Sequence, residues 1–247
     1  MSTIIRNALV TGATSGIGQV IAETLAARGV RVVVSGRDAA RGNEVVKNIR
    51  ARGGDARFQA ADLATAAAAS DLAKASEKLF GSVDILVNNA GIFSFGPTAE
   101  TTAAAFDTMF ASNVRGPYFL TAWLAPMMAA RGWGRIVNIT TMAAHIGMVG
   151  GALYGSTKAA LQLLTQSWAA EFGPSGVTVN AVAPGPIRTP GTVSMGDDAL
   201  EQLGKTTPVG RAGTPAEVAG VVAFLTSESA AYVNGATIAV DGGRTAV

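Results

Sequence analysis

The run Thr11-Gly12-Ala13-Thr14-Ser15-Gly16-Ile17-Gly18 follows the apolar triplet Ala8 to Val10 and opens a helix-length segment. A strand that turns this tightly into a helix through spaced glycines is the mark of an anion-binding βα unit. Gly12 permits the turn, Gly16 lets the backbone approach a pyrophosphate, and Gly18 allows the helix to pack closely on the sheet. Thr14, Ser15 and Ile17 complete the loop, whose amides and helix dipole face the anion.

Six more apolar, β-branched runs of strand length recur between helix-length segments: Val30 to Val34, Ala56 to Ala60, Val83 to Val87, Arg135 to Ile139, Val177 to Val182 and Ala236 to Val240. Strands alternating with helices make a parallel sheet with crossover connections. The runs are nearly continuous in apolar residues, so helices should cover both sheet faces. The expected fold class is α/β: a single-domain Rossmann fold with a seven-stranded parallel sheet between two helix layers. Its expected strand order is 3-2-1-4-5-6, extended by the seventh strand.

The chain is 49% hydrophobic and only 15% charged, which fits one large buried core across residues 1–247. One stretch breaks the short-loop pattern. From Pro184 to about Thr214 it carries Pro186, Pro190 and Pro208, with Pro215 just beyond and a weak helix near Asp197 to Leu203. Loops this long are usually functional, so residues 184–214 are expected to form a substrate lid.

Composition removes several kinds of chemistry. With no cysteine there is no disulfide, thiolate nucleophile or Cys-ligated zinc, and the single histidine, His145, excludes a His-pair metal site. The formal net charge is only +2, with no basic stripe, so nucleic acid is not an expected partner. No window approaches 18 consecutive apolar residues and Met1 to Arg6 lacks a signal-peptide layout, so the expectation is a soluble, cytoplasmic protein without membrane contact.

The second strand ends Val34-Ser35-Gly36-Arg37-Asp38. A carboxylate at this point binds the adenosine ribose of NAD, whereas an arginine accepts the 2′-phosphate of NADP. Gly36 stands at the usual acidic position and Arg37 can pair with a phosphate, so NADP(H) is favoured, with NAD(H) still open. Asp38 lies beyond the strand end, where it can cap a helix starting near Ala39. Further along, Tyr154 and Lys158 lie four residues apart in Tyr154-Gly155-Ser156-Thr157-Lys158 and share a helix face. A neighbouring ammonium should stabilise the tyrosinate, making the two a proton-transfer pair.

Taken together these motifs resemble the short-chain dehydrogenase/reductase family over nearly the whole chain. The likeness rests on the Thr11 to Gly18 fingerprint, Asp62-Leu63, Asn88-Asn89-Ala90-Gly91, Asn113, Tyr154 with Lys158, Pro184-Gly185-Pro186-Ile187-Arg188-Thr189 and Asp241-Gly242-Gly243. The resemblance implies that Asp62 and Leu63 hold the adenine, with Ser35 beside them at the strand end. It implies that Asn89, Ala90 and Gly91 line the central cofactor bed, and that Pro184, Gly185, Ile187 and Thr189 border the nicotinamide. It further implies Tyr154 as acid/base, Lys158 binding the ribose and lowering the tyrosine pKa, and Asn113 anchoring a proton-relay water.

One position departs from the family pattern, which has a serine thirteen residues before the tyrosine. Here it is Thr141, within Ile139-Thr140-Thr141-Met142. Threonine keeps the hydroxyl's donor and acceptor but adds a methyl group and a restricted χ1. Phe93, Phe95, Met142, His145, Met148, Leu153 and Met195 lie in segments that border the family's substrate cleft, which suggests an apolar, adaptable pocket. His145 reads more naturally as a solvated loop residue.

The function implied is an NADP-dependent interconversion of a ketone or aldehyde with a secondary alcohol, on a fairly apolar small molecule. Two alternatives remain: a 3-oxoacyl-acyl-carrier-protein reductase, or a cofactor-binding protein with impaired catalysis. Against the carrier protein, Phe172 to Ser175 has no basic residue and Met127 to Gly132 offers only Arg131 to an acidic partner. The apolar segments Val218 to Leu225 and Ala236 to Val240 resemble tetramer-forming parts of the family, so a homotetramer is expected.

Overall fold

The computed structural model describes residues 5–193 and 196–247. Its strands are β1 (Asn7–Val10), β2 (Arg31–Gly36), β3 (Ala56–Ala60), β4 (Ile85–Asn88), β5 (Gly134–Ile139), β6 (Val177–Pro184) and β7 (Thr237–Val240). They form one sheet in the order β3-β2-β1-β4-β5-β6-β7, every neighbouring pair parallel. This is the expected topology. Between the strands run α1 (Gly16–Ala27), α2 (Ala39–Ala51), α3 (Ala66–Phe80), α4 (Ala103–Phe110), α5 (Gly116–Ala130) and α6 (Ala152–Phe172). Before β7 come α7 (Pro190–Val193), α8 (Asp197–Lys205) and α9 (Pro215–Leu225).

Side-chain alternation along β1 splits the core in two. Ala8 and Val10 point into a layer with Ile21 and Leu25 of α1, Val45 and Ile49 of α2, and Val218 and Val222 of α9. Leu9 points the other way, toward Leu72 of α3, Leu120, Leu124 and Met128 of α5, and Leu161 and Trp168 of α6. Leu9 is fully buried, so its truncation to alanine costs about 2 to 5 kcal/mol.

Local signals stop and start the helices. Asp38 accepts the Arg41 amide at 3.0 Å and caps α2, as the sequence suggested. Thr214 and Glu217 form a capping box on α9, with Pro215 at its first position. α1 differs: its N-cap Ser15 makes no side-chain capping bond and its first turn holds no acidic residue. The amides at its start therefore stay available to an anion.

The long segment after β6 is not structureless, since it contains α7 and α8. Its base is tied by the Arg188 amide donating to the Gly213 carbonyl at 2.9 Å and the Gly213 amide donating to Pro186 at 2.8 Å. Ser194 and Met195 lie outside the described residues, and with Met195 one of the expected pocket residues.

α9 spends its apolar face on α1 and the sheet, leaving Phe224 as its one exposed large hydrophobic side chain. Among the described residues β7 is the last strand of the sheet at its end. Exposed apolar side chains gather instead on α4 and α5, at Phe106, Tyr118, Phe119, Trp123 and Met127. Among the described residues, no helix is long and apolar enough to cross a membrane.

Candidate active site

The carboxyl ends of β1, β4, β5 and β6 open onto a cavity of about 420 Å³. Parallel sheets place ligand sites at this edge, where connecting loops diverge from a switch in strand order. Ser15, Gly16, Ile17 and Gly18 line one end of the cavity, and Thr141, Tyr154 and Lys158 line its wall. Asn89, Gly91, Pro184, Gly185, Ile187 and Thr189 also border it.

The glycine loop has the conformation that its sequence demands. Gly12 and Gly16 adopt φ values of +61° and +58°, a region that other residues rarely occupy. A Cβ at Gly18 would lie 2.3 Å from Asn89 Nδ2, and one at Gly91 would lie 3.1 Å from both Lys158 Nζ and Asn113 Oδ1. The bed is thus bare backbone where a side chain would collide or intrude. Uncapped helix amides, a glycine floor and Lys158 at the far wall fit a dinucleotide carrying a pyrophosphate.

Thr11, not assigned a role from the sequence, is the clamp that shapes this bed. Its hydroxyl donates to the Val87 carbonyl at 3.2 Å and accepts the amides of Asn89 at 3.1 Å and Ala90 at 3.0 Å. The Asn89 side chain in turn donates to the carbonyls of Thr11 at 2.9 Å and Gly12 at 3.1 Å. Asn89 therefore braces the loop with its side chain, and Ala90 takes part through its backbone.

On the opposite wall the Thr141 side chain lies close enough to the Tyr154 phenol to bias its ionisation, while Thr141 Oγ1 accepts the Ala143 amide at 3.3 Å. The two come from the end of β5 and the first turn of α6, thirteen residues apart. Phe93 and Phe95 pack edge-on against the Tyr154 ring, with centroids 6.2 and 5.9 Å away. Burial pushes the phenol pKa up, and the neighbouring Thr141 hydroxyl opposes that only in part. The lowering by Lys158 anticipated from the Tyr154/Lys158 spacing is absent. Lys158 donates instead to the Ile139 carbonyl at 2.9 Å and is itself desolvated, which brings its pKa down to about 8.

Asn113 lies on a π-helical turn, Ala111–Arg115, between α4 and α5, and is completely buried. Its carboxamide binds both backbone groups of Ile92 and donates to Thr157 Oγ1 at 3.0 Å. Thr157 donates to the Tyr154 carbonyl at 2.8 Å. Asn113 thereby joins the β4 loop to the helix that carries Tyr154 and Lys158. π turns occur often at functional sites, yet no composition signal marks them.

A family model described as enoyl-(acyl carrier protein) reductase matches residues 12–245, nearly the whole chain. The chain belongs to the short-chain dehydrogenase/reductase family. A solved short chain dehydrogenase/reductase family protein is 48% identical with a TM-score of 0.91, covering 100% of both chains. The 3-oxoacyl (acyl-carrier-protein) reductase of Agrobacterium tumefaciens C58, solved with NADP bound, is 34% identical with a TM-score of 0.92 over 96% of this chain and 93% of that one. Gluconate 5-dehydrogenase of Gluconobacter oxydans 621H is 36% identical over 96% of this chain and 94% of its own. Nearly equal identities accompany very different substrates, so the substrate must be argued from the pocket.

Other expected residues of this short-chain dehydrogenase/reductase lie outside the cavity wall. Ser35 is buried and its carbonyl accepts the Ala13 amide at 2.9 Å. Asp62 is exposed and accepts the Ala64 amide at 3.3 Å, while the Leu63 side chain is buried in the core. Arg37 is exposed at the end of β2. Of the expected substrate residues, Phe93, Phe95, Met142 and Met148 line the cavity, whereas His145 and Leu153 do not. Ala199, Leu200 and Leu203 complete the apolar wall. The helix near Asp197 was legible from sequence, but which face it turns inward depends on its docking.

Proposed function

We propose that this chain is an NADP-dependent reductase and dehydrogenase that interconverts a neutral, largely apolar ketone and its secondary alcohol. The observation that carries this reading is the meeting of Thr141, Tyr154 and Lys158 on one wall of a cavity that runs back to the glycine loop. A nicotinamide cofactor held along this cavity would supply the hydride for reduction of the carbonyl carbon and accept it back in oxidation.

The chain's own residues manage position and protons. Thr141 holds the carbonyl oxygen through its hydroxyl, and Tyr154 gives that oxygen its proton in reduction and takes it back in oxidation. The phenol is protonated at neutral pH at its ordinary pKa and burial raises that pKa further, which suits the reductive direction. Lys158 binds the ribose and supplies the positive charge facing any phenolate that forms. Asn113 anchors the relay water. Gly12, Gly16 and the α1 amides receive the pyrophosphate, Ser35, Asp62 and Leu63 flank the adenine, and Arg37 pairs with the 2′-phosphate. Pro184, Gly185, Ile187 and Thr189 border the nicotinamide, and residues 184–214 close over the substrate as a lid.

Charge supports a neutral substrate, because among the described residues Lys158 is the one charged side chain that lines the cavity. A sugar acid would bring a carboxylate with no further cation to meet it. Carrier-protein docking is disfavoured too, since Arg131 is engaged by the Val83 carbonyl at 2.7 Å and by Asp84 at 3.4 Å. The exposed aromatic face of α4 and α5 supports self-assembly into a homotetramer.

The test is NADPH and NADH oxidation across aryl, alkyl and carboxylate-bearing ketones, with direct titration of both cofactors. Turnover of neutral ketones with NADPH is expected. Arg37→Ala should weaken NADPH binding by about 1 to 3 kcal/mol and leave NADH almost unchanged. Tight cofactor binding without turnover on any ketone would overturn the reading in favour of a non-catalytic binding protein.

A further inference from the structure

Gly36, the last residue of β2, is not glycine for conformational reasons. Its φ lies outside the left-handed region where L side chains are strained. A Cβ there would nevertheless lie 2.6 Å from Thr14 Cγ2 and 3.2 Å from Thr14 Oγ1. Separations under 3.0 Å require something to move.

Neither backbone can readily yield. The Ala13 amide donates to the Ser35 carbonyl at 2.9 Å, which pins the glycine loop across the end of β2. On its other side Gly36 pairs with Ala60 of β3, and its carbonyl accepts the Ala61 amide at 3.2 Å. Rotation of Thr14 about χ1 offers limited relief. Its β-branch carries two heavy atoms over three staggered positions, so the best rotamer still leaves one of them at the 3.2 Å position, a contact tighter than ordinary packing.

The charges nearby complete the picture. Asp38 is committed to α2, capping it through the Arg41 amide and pairing with Arg41 Nε at 2.7 Å. Arg37 makes no hydrogen bond or ion pair among the described residues and stands exposed. The end of β2 therefore presents a free guanidinium, an occupied carboxylate and a position closed to side chains.

We infer that Thr14 bars any side chain at position 36, so that the choice between the two nicotinamide dinucleotides is set by the Thr14–Gly36 pair together with Arg37. This rests on the proposed placement of the adenosine end at β2. It assigns Thr14 a specificity-determining role through exclusion: an acidic ribose ligand cannot be installed at 36 while Thr14 stands over it.

A double-mutant cycle tests the inference on apoprotein and on cofactor binding. Gly36→Ala alone should lower the apoprotein Tm by about 3 to 9 °C and weaken NADPH binding about ten-fold, the scale of overpacking. In a Thr14→Ala background the same change should cost almost nothing, because the methyl that it meets is gone. Gly36→Asp alone should gain no NADH affinity, whereas Thr14→Ala with Gly36→Asp should bind NADH about ten-fold more tightly than Gly36→Asp alone. Equal effects of Gly36→Ala in both backgrounds would overturn the inference, as would a gain of NADH affinity by Gly36→Asp that Thr14→Ala does not increase. Wild-type protein that binds NADH as tightly as NADPH would instead defeat the cofactor reading, and the apoprotein Tm cycle would still decide the contact.

Discussion

Asn113 holds Ile92 by both ends of its carboxamide, with Oδ1 accepting the Ile92 amide and Nδ2 donating to the Ile92 carbonyl, each at 2.8 Å. The pair fixes the loop after β4 against the π turn. Asn113→Leu preserves side-chain volume but leaves both Ile92 groups and Thr157 without these partners. Each unpaired buried group costs about 1 to 3 kcal/mol, so Tm should fall by several degrees. Because the same bracket carries α6, kcat should fall more than cofactor affinity. Thermal melts and cofactor titration on one preparation check both.

Tyr154→Phe should abolish most turnover, by about 10² to 10⁴-fold, and leave NADPH affinity nearly intact, since the lost group moves a proton and does not clamp the cofactor. Near wild-type kcat would refute its role.

Thr141 should act through its hydroxyl. Thr141→Ser keeps the donor and removes a methyl group, so activity should persist and bulkier ketones should be accepted. Thr141→Val keeps the shape and deletes the hydrogen bond, so kcat should drop about ten-fold to a thousand-fold. Steady-state kinetics on a small and a bulky ketone separate the two outcomes.

Lys158 should cost the fold stability. Its pKa of about 8 lies below the 10.5 of an unperturbed lysine, so the buried charge is unfavourable. The gap corresponds to about 3 kcal/mol, present in full below pH 8 and lost as pH rises toward 10.5. Lys158→Met should therefore be inactive yet at least as stable as wild type at pH 7, and that advantage should shrink between pH 8 and 10. Chemical denaturation across that range reads the sign.

Phe93 and Phe95, about 40% exposed and edge-on to Tyr154, should select flat substrates. Phe93→Ala with Phe95→Ala should lower kcat/KM for aryl ketones by about five-fold or more, the scale of one or two aromatic contacts, with little change for small alkyl ketones. Parallel kinetics on matched aryl and alkyl pairs measure the difference.

Much of this protein was open to a reader of its sequence because the signals concerned are local. Glycine spacing, apolar runs and a Tyr/Lys pair one helical turn apart each depend on residues within a few positions of one another. Hence the sheet order and the glycine loop followed from the chain itself, and Thr141, Tyr154 and Lys158, singled out in it, line one cavity. Burial and steric contact do not follow in that way, because they are set by segments that meet only once the sheet closes. Folding alone placed Thr11 between Val87 and Ala90 and turned Leu63 into the core. It also bound Lys158 to Ile139 rather than to the phenol, so that desolvation raises Tyr154 where the local spacing argued for a lowered value. Gly36 makes the same point: its sequence position suggested which cofactor binds, but only the packing of Thr14 across β2 brings a side chain within 2.6 Å of where its Cβ would lie.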